Sequence, residues 1–118
     1  MGGVRMTDDA IERRMIELRE TATKFAKAYA EREFLDEFKK SKLSILMKKY
    51  EREGHKTSAA QEREARADEQ YIELLKGLET AIEQSEALRW ELKIAEIAVE
   101  IWRTRESSKR AERKGYGA

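Results

Sequence analysis

The sequence of 118 residues contains no cysteine and no proline. Without cysteine the chain can form neither a disulfide framework nor a thiolate ligand or nucleophile. Without proline it lacks the residue that most strongly stops a helix. It also has no apolar run long enough to cross a bilayer and no cationic, apolar leader. We therefore expect a cytoplasmic protein that makes no contact with a membrane.

The chain also contains little glycine and has almost no net charge. The chain holds six glycines, and its 25 basic and 24 acidic residues leave a net charge of +1. Proteins that hold nucleic acid by bulk charge normally have a clear basic excess, so this balance disfavours DNA as the main partner. Charged residues make up 42% of the chain, which together with the lack of breakers is typical of long helices and coiled coils.

One apolar row organises the second half of the chain. Its members follow each other at alternating steps of four and three residues, the spacing of a helix that packs lengthwise on other helices. They are Ala67, Tyr71, Leu74, Leu78, Ala81, Ser85, Leu88, Leu92, Ala95, Val99 and Trp102. We call this row the seam of the second arm.

A second row with the same spacing lies on an adjacent face, at Trp90, Ile94, Ile97 and Ile101. A helix that is apolar over so wide an arc must be covered from more than one direction. We therefore expect the thickest part of the core here, completed by a second copy of the chain. The predicted core or oligomer interface consists of Trp90, Leu92, Ile94, Ile97, Ile101 and Trp102.

The first half of the chain carries a similar row that loses its register. After a helix start at Thr7, Asp8 and Asp9, the row runs through Ile11, Met15, Leu18, Ala22, Phe25 and Tyr29. The next positions at this spacing are the charged Arg32 and Asp36. We expect one continuous helix with a local distortion, and the alternative is a three-helix arrangement with a break near Ser41.

The two halves meet at a glycine turn. Gly54 suits the left-handed position after a helix, and Ser58 with Gln61 forms a capping box that opens the second arm. The sequence therefore predicts a single all-α domain of arm 1 (8–53), turn (54–58), arm 2 (59–106) and a flexible basic tail (107–118). The arms form a long antiparallel, coiled-coil-like hairpin, completed by oligomerisation into a helical bundle. Blocks of opposite charge at 39–53 and 60–73 favour antiparallel pairing.

The sequence contains no pattern typical of a catalytic, metal-binding or phosphate-binding site. His55 is the only histidine, and no second histidine or cysteine exists to complete a dyad or a metal site. No glycine-rich phosphate loop or metalloprotease motif occurs. We expect no catalytic residue, no metal and no cofactor, and we interpret the chain as not an enzyme.

Two basic clusters could contact nucleic acid, which is the alternative interpretation of the chain. They are Lys39, Lys40, Lys42, Lys48 and Lys49 on the first arm, and Arg103, Arg105, Lys109, Arg110, Arg113 and Lys114 near the end of the chain. Tyr50 and Tyr116 lie close by in sequence and could offer stacking rings. The other interpretation is that these cations pair with the acidic blocks opposite them.

Several phrases resemble a set of small phage and prophage proteins. They are EFLDEFKKSK at 33–42, AAQEREA at 59–65, YIELLKGL at 71–78, and LRWEL at 88–92 through VEIWRT at 99–104. The resemblance covers most of residues 25–113. That set has no assigned activity, and its genes tend to lie near those for phage single-strand annealing and recombination proteins.

The resemblance implies a phage origin, a place in the bacterial host cell and an accessory role in phage DNA recombination. It assigns no site residue. Together with the helical pattern, it gives the hypothesis of a self-associating interaction protein, with itself as a homodimer or larger oligomer and a phage recombination protein as partners. The alternative is a nucleic-acid-binding accessory protein that uses clusters 39–49 and 103–114.

Overall fold

Three α-helices make up almost all of the chain that the computed structural model describes, residues 8–116. Helix α1 spans Asp8–Arg52, α2 spans Ser58–Ala67 and α3 spans Glu69–Tyr116. No strand occurs among these residues, so the all-α class is confirmed. None of the three helices carries an apolar stretch that could cross a membrane.

The hairpin is directly visible in the compact unit formed by Ala26–Glu86. The polar contacts that join α1 to the second arm include Arg32 to Glu86, Lys42 to Gln70 and Lys49 to Asp68. As the residue numbers rise along α1, those of the partners fall, so the two arms are antiparallel, as predicted. A second compact unit combines α1 up to Phe25 with α3 from Ala87 onward.

Gly54 ends the first arm in the conformation that the sequence predicts. Its φ of +106° lies in the region that favours glycine. The His55 N–H donates to the Tyr50 carbonyl at 3.0 Å, and the Gly54 N–H donates to the Glu51 carbonyl at 3.1 Å. These are the two hydrogen bonds of a Schellman motif, which satisfies the last carbonyls of α1.

The cap of α2 lies one residue earlier than predicted. Thr57, not Ser58, has the extended backbone of an N-cap, and its hydroxyl accepts from the Ala60 N–H at 3.1 Å. The Gln61 side chain donates to the His55 carbonyl at 2.8 Å, so it holds the turn. Either hydroxyl could cap a helix, and the geometry of the turn selects Thr57.

The second arm is two helices rather than one. Asp68 has an extended backbone (φ −66°, ψ 137°) and separates α2 from α3. Its side chain accepts from the Gln70 N–H at 2.8 Å, which caps α3. The change of direction leaves Ala67 exposed and Ala65 buried, so the seam begins at Tyr71 and not at Ala67.

Helix α1 is continuous, and the predicted loss of register after Tyr29 is wrong. Its half-buried and buried positions run at unbroken steps of three and four, through Leu18, Thr21, Phe25, Ala28, Arg32, Leu35, Lys39, Lys42 and Leu46. We call these positions the seam of α1. Met15, Ala22 and Tyr29, which belong to the apolar row predicted for the first arm, are exposed beside it. Because there is no slip, the alternative of a break near Ser41 is also wrong.

A cluster of buried side chains from the described residues lies near the turn, at Leu46, Ala65 and Tyr71. One residue comes from each helix, and Leu43, Met47 and Tyr50 pack against the cluster. The expected thick core around Trp90 to Trp102 is not present within the single chain, where Val99 is the buried residue and its seam neighbours are half-buried. The difference follows from the number of helices, because three helices meet near the turn.

Helix α3 continues beyond the residue at which we expected the chain to fray. It reaches Tyr116 and so includes most of the tail that the sequence predicts from Ser107. Arg113 and Lys114 lie in its last turn, where positive charge favours the negative end of the helix dipole. The predicted cap at Thr7 and the last two residues lie outside the described part of the chain.

Candidate interaction surface

Four large apolar side chains form an exposed row on α3, which we call the outer row. Trp90 is 52% exposed, Ile94 65%, Ile97 52% and Ile101 48%. A leucine or isoleucine exposed singly is ordinary on a protein surface, but four successive members of one helical row are not. The outer row is therefore the strongest candidate for a binding surface among the described residues.

The outer row lies opposite the seam rather than on an adjacent face. At about 100° per residue, Ile97 is about 140° from Leu92 and about 160° from Ala95 around the helix. Leu92 and Trp102 are half-buried on the seam. The six predicted interface residues thus divide into two sets, and only Trp90, Ile94, Ile97 and Ile101 face outward.

The same spacing continues in both directions with small, uncharged residues. From Ala87 the steps of three and four lead through the four apolar members to Thr104, Ser108 and Ala111, all of them exposed. Charged residues border the row, and Lys93, Glu96, Glu100 and Arg105 line an open groove with Ile97 and Ile101. An apolar stripe with charged edges is the pattern of a helix that packs on another helix.

Trp90 is partly covered by cations of its own helix. The Arg89 guanidinium lies 5.2 Å from the ring centroid, and the Lys93 ammonium lies 5.5 Å from it. Exposed cation–π contacts of this kind stabilise by about 0.5–1 kcal/mol. Neither cation removes the exposed apolar surface of the isoleucines that follow.

The first basic cluster makes several of its contacts within the protein. Lys39 pairs with Asp36 and Lys40 with Glu37, both on α1. Lys42 donates to Gln70 at 2.7 Å, and the ammonium of Lys49 lies 3.3 Å from Asp68. Lys48 is exposed. Pairing across the arms, which the opposite charge blocks predict, occurs between Lys49 and Asp68, whereas Lys39 and Lys40 pair along their own helix.

In the second basic cluster, two cations pair with acidic residues of α3 and four are exposed. Arg103 pairs with Glu100 at 3.0 Å and Lys109 with Glu106 at 3.3 Å. The other members, Arg105, Arg110, Arg113 and Lys114, are exposed on the last turns of α3. Together with the exposed Lys48, these four cations are the members of the two clusters that a nucleic acid could reach with least rearrangement.

His55 lies in the turn and makes local contacts. Its ring packs edge-on to the Tyr50 ring at 5.7 Å. Its backbone carbonyl accepts from Gln61. Within residues 8–116 no group of three or more His, Asp or Glu side chains is close enough to hold a metal ion.

Sequence reasoning missed a buried polar cluster around Asp68. The carboxylate accepts from the Tyr50 hydroxyl at 2.7 Å and lies 3.3 Å from the Lys49 ammonium. The hydrogen bond from Tyr50 is the main cause that lowers the pKa of Asp68, and the Gln70 N–H and Lys49 act in the same direction. The same hydrogen bond raises the pKa of Tyr50 to about 12. These contacts join the start of α3 to α1. We therefore assign Asp68, Tyr50 and Lys49 a structural role.

The described residues form an all-α helical hairpin that carries an outward apolar row on α3. No protein-family model matches the sequence, and no curated protein or solved structure matches it significantly.

Proposed function

We propose that the protein is a non-enzymatic interaction protein that self-associates through the outer row of α3. The observation that carries the proposal is the exposure of Trp90, Ile94, Ile97 and Ile101 on one helix face. Burying a fully exposed side chain of this size gives about 1.5–3 kcal/mol, and these four are about half exposed, so covering each gives roughly half of that and the row together favours association. A second copy is the partner that the chain always has available.

Sedimentation equilibrium of the full chain and of two matched variants tests this proposal. Ile97→Glu places a charge in the outer row, and Ile45→Glu places one at a residue of nearly equal exposure, 53%, on α1. We expect the wild type and Ile45→Glu to associate at tens of micromolar and Ile97→Glu to be monomeric. A folded wild-type monomer at that concentration would refute self-association.

We further infer a phage context, in which the assembled protein serves phage DNA recombination as an accessory factor in the host cytoplasm. The support is the resemblance of residues 33–42, 59–65, 71–78 and 88–104 to small phage proteins. A pull-down with the tagged chain from phage-infected or lysogenic cells tests it, with Ile97→Glu as the parallel bait. Recovery of no phage recombination protein with the wild-type bait would count against this context.

Nucleic-acid binding is the second candidate function. It is favoured by the continuation of α3 to Tyr116, which displays Arg105, Arg110, Arg113 and Lys114 on an ordered helix. Binding through these cations would weaken steeply with salt, because each phosphate contact releases counterions. Fluorescence anisotropy with single- and double-stranded DNA at low and moderate salt decides the matter. The absence of binding to either DNA at low salt would remove this candidate.

A further inference from the structure

We propose that two copies of the chain pair antiparallel along their outer rows, with Trp90 of each opposite Ile101 of the other. This inference rests on the proposed self-association and adds its direction and register. It assigns Lys93 and Glu100 the role of selecting that direction. The assembly has twofold symmetry, so every contact occurs twice.

The spacing of the row fits a reversed copy. The steps from Trp90 to Ile94, Ile97 and Ile101 are four, three and four residues, which read the same in both directions. A reversed copy centred between residues 95 and 96 therefore places Ile94 opposite Ile97 and Trp90 opposite Ile101. All four large side chains meet an apolar partner, and the largest meets a smaller one.

Charge at the edge of the row distinguishes antiparallel from parallel pairing. Lys93 directly precedes Ile94, and Glu100 directly precedes Ile101, so the two occupy equivalent edge positions seven residues apart. In an antiparallel pair, equivalent edge positions face each other, which brings Lys93 opposite Glu100 of the second copy. A parallel pair in register would instead place Lys93 opposite Ala98. That parallel pair would also place Glu100 opposite Arg105, so the two directions differ in Lys93, which has an acidic partner only in the antiparallel arrangement.

Both side chains are positioned for this contact. The ammonium of Lys93 already lies over the Trp90 ring at 5.5 Å, beside the outer row. The Glu100 side chain is 68% exposed and accepts from Arg103 at 3.0 Å. An ionised carboxylate has about four acceptor sites, so Glu100 can accept from Arg103 and from a second copy together.

Charge reversal tests the direction. In the antiparallel pair, Lys93→Glu creates two Glu–Glu contacts and Glu100→Lys creates two Lys–Lys contacts. Each change should weaken the homodimer about tenfold at low salt. The double variant Lys93→Glu/Glu100→Lys should restore it, and an equimolar mixture of the single variants should form heterodimers. Lys27→Glu, an exposed lysine on α1, is the matched control and should leave association unchanged.

Distance measurement tests the register independently. Since the chain has no cysteine, a single cysteine at Glu96 or at Ser108 accepts one spin label per copy. The antiparallel register places the two Glu96 labels side by side and separates the two Ser108 labels by about 38 Å along the axis. Short distances at both positions would establish parallel pairing and overturn the inference while leaving self-association intact. A wild-type monomer would overturn both.

Discussion

The Tyr50 hydroxyl donates a 2.7 Å hydrogen bond to the buried carboxylate of Asp68, and this contact joins α1 to the start of α3. The same carboxylate caps α3 through the Gln70 N–H. Asp68 therefore ends α2 with its extended backbone, while its side chain caps α3 and joins it to the first arm. The pattern of apolar residues in the sequence does not indicate a buried carboxylate at this position.

Replacement of Asp68 is expected to be the most damaging single polar change. Asp68→Ala removes a cap and leaves Tyr50 and Lys49 without their acceptor, so we expect the melting temperature to fall by several degrees. Asp68→Asn keeps the cap and should lose less. Asp36→Asn, at an exposed acid paired with Lys39, is the control and should change little. A melt of Asp68→Ala that coincides with the wild type would contradict this prediction.

The pH dependence of stability follows from the same contact. The folded-state pKa of Asp68 is lowered, so its contribution is complete above the unfolded pKa of about 4 and is lost as the pH falls below it. The folded-state pKa of Tyr50 is raised to about 12, so its contribution is complete below about pH 10 and is lost as the pH rises toward 12.

Urea unfolding across this range, for wild type and for Tyr50→Phe, measures both effects. Without the Tyr50 hydroxyl the alkaline loss should shrink and the acid loss should be smaller. Identical pH profiles for the two proteins would show that the contact does not determine them.

The two interior glycines are expected to respond to alanine with opposite signs. Gly77 lies in α3 with nothing within 4 Å of an added Cβ, so Gly77→Ala should stabilise by about 1 kcal/mol. Gly54 also has open space around it, but its φ of +106° disfavours any other residue. Gly54→Ala should therefore destabilise by about 1–2 kcal/mol. Denaturant titrations of the two variants measure the change in the free energy of unfolding. Changes of the same sign would contradict the prediction.

Neighbouring aliphatic residues on α1 offer a matched test of the core. Leu46 is 2% exposed within the main cluster, whereas the adjacent Ile45 is 53% exposed. Leu46→Ala should cost about 2–5 kcal/mol through lost burial and a residual cavity, and Ile45→Ala should cost far less. Chemical denaturation measures the loss of stability in each variant. Comparable losses would show that Leu46 does not lie in the main core.

Ser85 is buried on the α3 seam, and its hydroxyl has no hydrogen-bond partner among the described residues. An unsatisfied buried hydroxyl costs about 1–3 kcal/mol, so Ser85→Ala should stabilise the protein or leave it unchanged. Thr80→Ala, at an exposed hydroxyl that donates to the Lys76 carbonyl, is the reference. A clear loss of stability in Ser85→Ala, measured by thermal melting, would show that the hydroxyl has a role.

The fold was predictable where seam residues are apolar or small. From Tyr71 to Trp102 the spacing alone identifies every buried or half-buried seam position, because Leu, Ala and Val stand at most of them. On α1 the seam passes through Thr21, Arg32, Lys39 and Lys42, whose polar ends obscure the pattern. Arg32 belongs there because it reaches Glu86 across the hairpin at 3.2 Å.

The break at Asp68 could not be predicted from the same pattern. No glycine or proline marks it, and the four-residue step from Ala67 to Tyr71 is compatible with an uninterrupted helix. Asp68 caps α3 through the nearby Gln70 N–H, but the Tyr50 and Lys49 side chains that hold its carboxylate are distant in sequence. The position of the outer row opposite the seam follows from the helical angle of about 100° per residue, but the exposure of its four side chains could be seen only in the structure.

The location of the cluster of Leu46, Ala65 and Tyr71 has a consequence for the order of folding. Its members are close in sequence, whereas Leu18 and Ala95, which line one groove farther from the turn, are separated by most of the chain. Closing the longer loop first costs about 1.2 kcal/mol more in chain entropy. The tip of the hairpin is therefore expected to act as the folding nucleus, from which the arms zip toward the chain ends. Native-state hydrogen exchange should accordingly find the slowest amides around Leu46 and Tyr71.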